Sequence, residues 1–374
     1  MLRAVEERFL DFMEEDVADA LERWRGGWQG TRRVVVASRV GEVVGEETRA
    51  VLEGAGLEVY PTTLRDERGD LTEAVREAEV MISGGSPLDV EVFAGTPQLR
   101  FLLRPYVGYD DIEVDAATER GILVANVPDT FVQEVADHTL ALLLAAQRHL
   151  PRMDAFVRDG RWARGEQARA TAHPVRRLST MTLGLVGFGG IARLVTQRAQ
   201  GFGLRILATD PYVSPEAAAE HGVSLVPLEE LLAESDIVSL HVFLNAETRH
   251  LIDAERLAMM KPEAILVNTS RGPVVDEAAL VEALRAGRLA GAALDVFEQE
   301  PLDAASPLIG MENVILLPHY ASYSDEGDAL HRQRVGRLAL QAASGGFPER
   351  KVIINKGLYD ALAAMPELAS VTRH

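Results

Sequence analysis

"TLGLVGFGGIARLVTQRAQ", residues 182–200, is the stretch whose reading decides the fold. The apolar run at 182–187 reads as a strand, and the residues after it carry apolar side chains at helical spacing. Between the two, Gly187, Gly189 and Ala192 stand in a G-x-G-x-x-[GA] pattern. Each small residue has a physical task in a strand-to-helix turn. Gly187 permits the tight turn, Gly189 lets the backbone approach a pyrophosphate, and Ala192 lets strand and helix pack closely. The helix start, with Gly190 and Ile191, offers that anion N–H groups and a positive dipole end. Glycine-rich turns of this kind are common in α/β proteins, so the next strand matters. "RILATD", 205–210, ends in Asp210, about 20 residues beyond the glycines, where a ribose-binding acid is expected. A carboxylate there accepts hydrogen bonds from both ribose hydroxyls and repels a 2′-phosphate. No arginine follows it directly, so the expected cofactor is NAD rather than NADP.

Outward from this turn the chain keeps alternating. "SLVP" (224–227), "DIVSLHV" (236–242), "AILVNTS" (264–270), "GAALDVF" (291–297) and "VILLPH" (314–319) continue the series, giving seven extended runs with helices between them. An earlier series precedes it: "VVVAS" (34–38), "LEVY" (57–60), "EVMIS" (79–83), "RFLLR" (100–104) and "ILVAN" (122–126). Strands that alternate with helices make βαβ units and parallel sheets. Between the two series, "VPDTFVQEVADHTLALLLAAQRHL" reads as one long helix with Asp129 or Thr130 as cap. Another helix is expected at about 325–343, and "KVIIN" after it reads as a strand returning to the first sheet.

The fold class is therefore α/β with two doubly wound domains. A Rossmann domain, 129–319, is inserted into a flavodoxin-like domain made of 33–128 and 320–356. Residues 1–32 form an N-terminal extension, expected to be an amphipathic helix because its apolar side chains from Leu2 to Trp24 fall at helical spacing. Residues 357–374 are left as a tail.

Composition bounds the function. Of 374 residues 47% are hydrophobic and 25% charged, so large disordered regions are not expected. Cysteine is absent, which removes disulfides, thiolate metal sites and cysteine nucleophiles; no metal site is expected. A formal net charge of −19 argues against nucleic acids and anionic membranes as partners. The acidic N-terminus has no apolar signal core and no run is long enough to span a bilayer, so the expected location is cytoplasmic.

Three more stretches end predicted strands of the second series, on the edge where open α/β sheets bind ligands. "NTSRGPVVDEAAL" carries Arg271, "GAALDVFEQEPL" carries Asp295 and Glu300, and "VILLPHYAS" carries His319. Singly, each has a plain reading as a solvated arginine, a surface acid or a packed histidine. Together with "VADHTLALLL", "GLVGFGGIA" and "SDIVSLHVFLNAETRHLI" they resemble the D-isomer-specific 2-hydroxyacid dehydrogenases, from about residue 34 to 355. The pattern is nearest the phosphoglycerate-dehydrogenase-like and C-terminal-binding-protein-like branch.

The resemblance implies hydride transfer between NAD(H) and a small 2-hydroxy or 2-oxo acid. It makes His319 the general acid/base, Glu300 its partner and Arg271 the clamp on the substrate carboxylate. A planar guanidinium matches a carboxylate with two parallel hydrogen bonds, and histidine suits proton transfer near neutrality. It also places Asp295 at the nicotinamide carboxamide, Thr269, Ser270 and Arg271 against the dinucleotide, and Val242, Phe243 and Thr248 along the cofactor pocket. His241 is expected to be a cofactor neighbour only. In the first domain, Gly84 and Gly85 of "SGGS" and Tyr106, Val107 and Gly108 of "RPYVGYDD" match loops whose N–H groups meet the substrate carboxylate. A homodimer is implied as well.

Departures from the pattern are specific. Phe243 stands where the family usually has proline, Tyr106 replaces a glycine, and Leu317 replaces a small polar residue. Formate dehydrogenases carry glutamine where Glu300 stands, and the chain has no room for the regulatory domain of long phosphoglycerate dehydrogenases. An NAD(H)-sensing regulatory protein of the C-terminal-binding type is the alternative from another class, since that branch keeps the same three residues.

Overall fold

Strand β1 (Arg33–Ser38) is buried from Val34 onward, as a β-branched run inside a parallel sheet must be. It lies between β2 (Glu58–Thr62) and β3 (Val80–Gly84), followed outward by β4 (Phe101–Leu103) and β5 (Leu123–Ala125). The order β2-β1-β3-β4-β5, parallel throughout, is that of a flavodoxin-like sheet. Pro61 sits in β2, at the sheet edge, where a missing N–H is tolerated. The computed structural model describes residues 21, 23–24, 27–38, 45–168, 175–365 and 368.

One face of this sheet packs Val34, Val36, Ile82 and Phe101 with Val335, Leu338 and Ala342 of the helix Asp325–Ala343, which runs where the spacing predicted it. The other face packs Val35, Met81, Leu102 and Val124. Trp24 and Trp28 belong to the first of these cores, and their indole N–H groups donate to the carbonyls of Gly121 and Ala342, both at 2.8 Å. Most of the amphipathic helix expected over 2–24 lies outside the described residues.

"KVIIN" does not add a strand. It forms a 3-10 turn, Arg350–Val352, and one antiparallel bridge from Ile353 to Ala125. The reason is Asn355: its side-chain amide donates to Ile122 O at 2.8 Å and accepts from Val124 N–H at 3.0 Å. That side chain thus occupies hydrogen-bonding groups that a further strand's backbone would have used. The helix Lys356–Ala363 follows and buries Leu358 and Leu362, so these residues are core rather than tail.

All seven expected runs of the second series are strands: β6 (Thr182–Val186), β7 (Arg205–Thr209), β8 (Ser224–Leu225), β9 (Ile237–Leu240), β10 (Ile265–Asn268), β11 (Gly291–Leu294) and β12 (Val314–Leu316). Their order, β12-β11-β10-β9-β6-β7-β8, is the doubly wound dinucleotide-binding topology with the switch point between β6 and β9. The long helix is shorter than expected, Val132–Gln147. Pro151 lacks the N–H that a continued helix would donate to Gln147, so the chain turns at His149 (φ 53°) and restarts as Leu150–Arg158. Neither proposed residue caps it. Thr130 Oγ1 is 3.0 Å from His331 Nδ1, and Asp129 pairs with Lys351 at 3.5 Å and Arg334 at 3.7 Å.

The chain divides into two compact units, one running to Thr130 and resuming at Asp325, the other Phe131–Ser324. No helix among the described residues is long and apolar enough to cross a membrane.

Candidate active site

Because every strand of the second sheet is parallel, the residues that follow them gather on one edge. Gly187 follows β6, Asp210 follows β7, Val242 lies just past β9, and Thr269–Arg271 follow β10. Asp295 follows β11, and His319 lies three residues past β12. The sheet order sets Arg271, Glu300 and His319 on one side of the switch point, with the glycines and Asp210 on the other.

Gly187 is held at φ 91°, and a Cβ there would stand 2.6 Å from His241 O, so only glycine fits. Gly189 and Gly190 differ: a Cβ on either meets nothing within 4 Å. The turn therefore leaves an open cradle at the start of the helix Gly190–Gln200, whose buried face is Ala192, Val195, Thr196 and Ala199. Asp210 accepts the N–H of Phe188 through Oδ2 and of Tyr212 through Oδ1, both at 2.8 Å, which fixes its carboxylate beside this cradle. An open, N–H-rich turn and an oriented acid fit a dinucleotide with free ribose hydroxyls.

His319 Nδ1 is 2.7 Å from Glu300 Oε2, and Glu300 Oε1 accepts the Phe297 N–H at 3.0 Å. Burial opposes the charge of Glu300. The bonds from His319 and Phe297 N–H, with the nearby charges of His319 and Arg271, prevail and hold its carboxyl below the usual range. With Nδ1 so occupied, Nε2 is the ring nitrogen left for a reacting group. His319 itself adopts φ 54°, a strained conformation for a non-glycine residue.

Asp295 is what maintains it. Its backbone carbonyl accepts His319 N–H at 2.8 Å, while its carboxylate accepts the N–H of Tyr320 at 2.8 Å and of Ala321 at 2.9 Å. His138 Nε2 stands 3.5 Å away. Burial works against this charge too, but His138 and the two N–H groups keep the carboxyl below its ordinary value. Asp295 is 0% exposed. What it holds is the turn that carries the histidine.

Arg271 sits in the turn after β10, its guanidinium donating to Ser270 O at 2.8 Å, while Asn268 Nδ2 donates to Arg271 O at 2.9 Å. Ser270 is bound through N–H and Oγ to Asn268 Oδ1, and Thr269 Oγ1 meets Thr139 Oγ1 at 2.9 Å. Gly272 was passed over in the sequence. A Cβ there would lie 1.8 Å from Phe297, so the arginine turn presses directly on the loop that leads to Glu300. A glycine directly after a motif arginine was the available signal. His250 was passed over as well; its N–H donates to Pro273 O at 2.8 Å and its Nε2 bonds Glu298, which ties the same two loops together.

Val242 is partly buried and Phe243 is 61% exposed. The Thr248 hydroxyl donates to Phe243 O at 2.5 Å and accepts Asn245 N–H at 2.8 Å, so it closes the turn that presents them. Burial pushes the His241 imidazole down to about 4, which keeps it neutral and out of acid catalysis near pH 7.

In the first unit, Gly84 ends β3 and exposed Gly85 follows at φ 76°. Tyr106, Val107 and Gly108 follow β4 in a loop closed by the buried Arg104, whose guanidinium is 2.6 Å from Asp111. Asn126 Nδ2 donates to Val107 O at 2.6 Å, and Val127 N–H donates to Tyr106 O at 3.3 Å.

Residues 140–321 match the family model described as the NAD-binding domain of the D-isomer-specific 2-hydroxyacid dehydrogenases. A glyoxylate reductase of Korarchaeum cryptofilum is 45% identical over 287 residues, covering 75% of this chain and 85% of the relative. A D-3-phosphoglycerate dehydrogenase of Mycobacterium bovis is 40% identical over 293 residues, 78% of this chain but 54% of that longer one. Among solved structures, D-lactate dehydrogenase from Aquifex aeolicus, complexed with NAD and lactic acid, has a TM-score of 0.74 at 28% identity and covers 86% of this chain and 98% of its own.

Proposed function

The chain belongs to the D-isomer-specific 2-hydroxyacid dehydrogenase family as an NAD-dependent oxidoreductase, and we propose that it reduces a small 2-oxo acid of the glyoxylate type. The observation that carries this reading is the His319–Glu300 pair at 2.7 Å, next to the Arg271 turn. Bound NADH supplies the hydride to the carbonyl carbon. Arg271 holds the acid's carboxylate in a planar fork. As negative charge develops on the carbonyl oxygen, His319 Nε2 delivers a proton to it. Glu300 stabilises the imidazolium beforehand and fixes which nitrogen faces the substrate. Oxidation of the hydroxy acid runs the same steps backwards. Asp210 selects NAD(H) by receiving the ribose hydroxyls.

Support for a small acid comes from relatives such as the glyoxylate reductase, 45% identical to this chain over 85% of its own length. The relatives named above are enzymes, which favours turnover over NAD(H) sensing. The same reading includes a homodimer formed through the second unit, where Leu150, Val157 and Trp162 stand 54%, 51% and 67% exposed, and a cytoplasmic location. Arg271→Lys tests the substrate clamp. Loss of the bidentate fork costs about 1.5–3 kcal/mol, roughly a 10- to 100-fold rise in KM for the acid. An unchanged KM removes Arg271 from substrate binding.

A further inference from the structure

His331 belongs to no motif of the reaction, yet it is a buried, titratable side chain attached to the substrate loop of the first unit. It projects from the helix Asp325–Ala343 and is 9% exposed. Its Nε2 lies 2.5 Å from Pro105 O and its Nδ1 lies 3.0 Å from Thr130 Oγ1. Pro105 is the residue immediately before Tyr106, Val107 and Gly108. Thr130 is the last residue of the first unit before the chain crosses to the second.

The chemistry of the two partners fixes the tautomer. A carbonyl only accepts, so Nε2 carries the proton toward Pro105; Nδ1 of a neutral ring then accepts from the Thr130 hydroxyl. Burial lowers the affinity of the ring for a second proton. The Pro105 bond and the charge of Asp328 oppose that effect, Arg332 adds to it, and the net direction is downward. A neutral His331 is thus a directional connector with one donor and one acceptor.

What it connects is a loop with donors to spare. The carbonyls of Tyr106 and Val107 are taken by Val127 N–H and the Asn126 amide. The N–H groups of Val107 and Gly108, by contrast, donate to nothing among the described residues. The Arg104–Asp111 pair braces the far end of the loop, and His331 braces its near end at Pro105. Two N–H groups recognise a carboxylate only while their directions are fixed. A brace one residue upstream of them sets those directions.

We infer that His331 is a positioning residue for substrate recognition, holding the Pro105–Gly108 loop so that the Val107 and Gly108 N–H groups meet the carboxylate of the 2-oxo acid. It touches no substrate and acts through the loop. The inference rests on the proposed reduction of 2-oxo acids.

The test compares His331→Leu, which keeps bulk and loses both bonds, with His331→Gln, whose amide N–H still reaches toward Pro105. Steady-state kinetics with NADH and glyoxylate are read as a split between constants. His331→Leu raises KM for glyoxylate about tenfold, in line with a loosened binding geometry, and leaves KM for NADH within about twofold. His331→Gln recovers most of the loss. Thr130→Val, a smaller change, raises KM for glyoxylate in the same direction and serves if the leucine variant does not fold. The inference is overturned if the leucine variant loses thermal stability with KM for glyoxylate unchanged, or if the glutamine and leucine variants have equal KM. If the wild type turns over no 2-oxo acid, the functional reading fails instead. The loop is then judged by calorimetric affinity for oxalate, which the inference requires to fall in the leucine variant and return in the glutamine variant.

Discussion

At the scale of single residues, the reactive histidine depends on two carboxylates that do different things. Glu300 touches the ring, whereas Asp295 touches the backbone that carries it, with His138 at its side. Glu300→Gln removes the charge beside the ring and frees its orientation, so kcat for reduction falls about tenfold or more with NADH affinity kept, and an unchanged kcat contradicts the pairing. Because its carboxyl is held below the ordinary range, Glu300 stabilises the fold above about pH 4.3 and loses that contribution as pH falls through its lowered value. The pairing of His319 with Glu300 was legible in the sequence because both lie in dense motifs that follow neighbouring strands of one sheet. The bonds by which Asp295 holds the histidine's turn were not, since a carboxylate's backbone partners across 25 residues leave no mark on the sequence.

Elements were legible where periodicity is long and illegible where one side chain replaces a backbone. The twelve strand runs expected in the two alternating series exist, and the helix at 325–343 appears with its expected bounds. The "KVIIN" strand failed because Asn355 supplies the amide groups that pair with β5. The long helix was overextended because Pro151 terminates it at Gln147, a signal present in the sequence but outweighed by the apolar run before it. The glycine turn after β6 is the proposed cradle for the cofactor, and its two glycines should fail differently. Gly187→Ala forces a Cβ against His241 O at positive φ and costs about 1–3 kcal/mol, seen as a lower midpoint in urea. Gly189→Ala has free space and keeps that midpoint, yet its methyl fills the cradle and raises the Kd for NADH. Equal destabilisation by both, or unaltered NADH affinity in Gly189→Ala, contradicts this division of labour.

For the whole molecule, the charge of −19 is compatible with the proposed anionic substrate because a few local groups, such as the Arg271 guanidinium, can outweigh the global field. Composition thus excluded partner classes without identifying the acid. The N-terminal residues carry no chemical motif, yet Trp24, which the apolar spacing set on a packing face, and Trp28 belong to the core of the first unit. Exposed Leu150, Val157 and Trp162 predict that the protein sediments as a dimer and that Trp162→Glu with Val157→Glu gives a monomer. A wild-type monomer at micromolar concentration contradicts the proposed dimer. The central claim is that the chain reduces a 2-oxo acid with NADH through His319, and its most direct test is steady-state oxidation of NADH with glyoxylate and a panel of larger 2-oxo acids, wild type against His319→Ala. The expected result is turnover of at least one small acid by the wild type and a fall of kcat by about 10²–10⁴ in the variant, with NADH affinity retained. Tight NADH binding with no acid turned over, or a variant that keeps the wild-type rate, contradicts it.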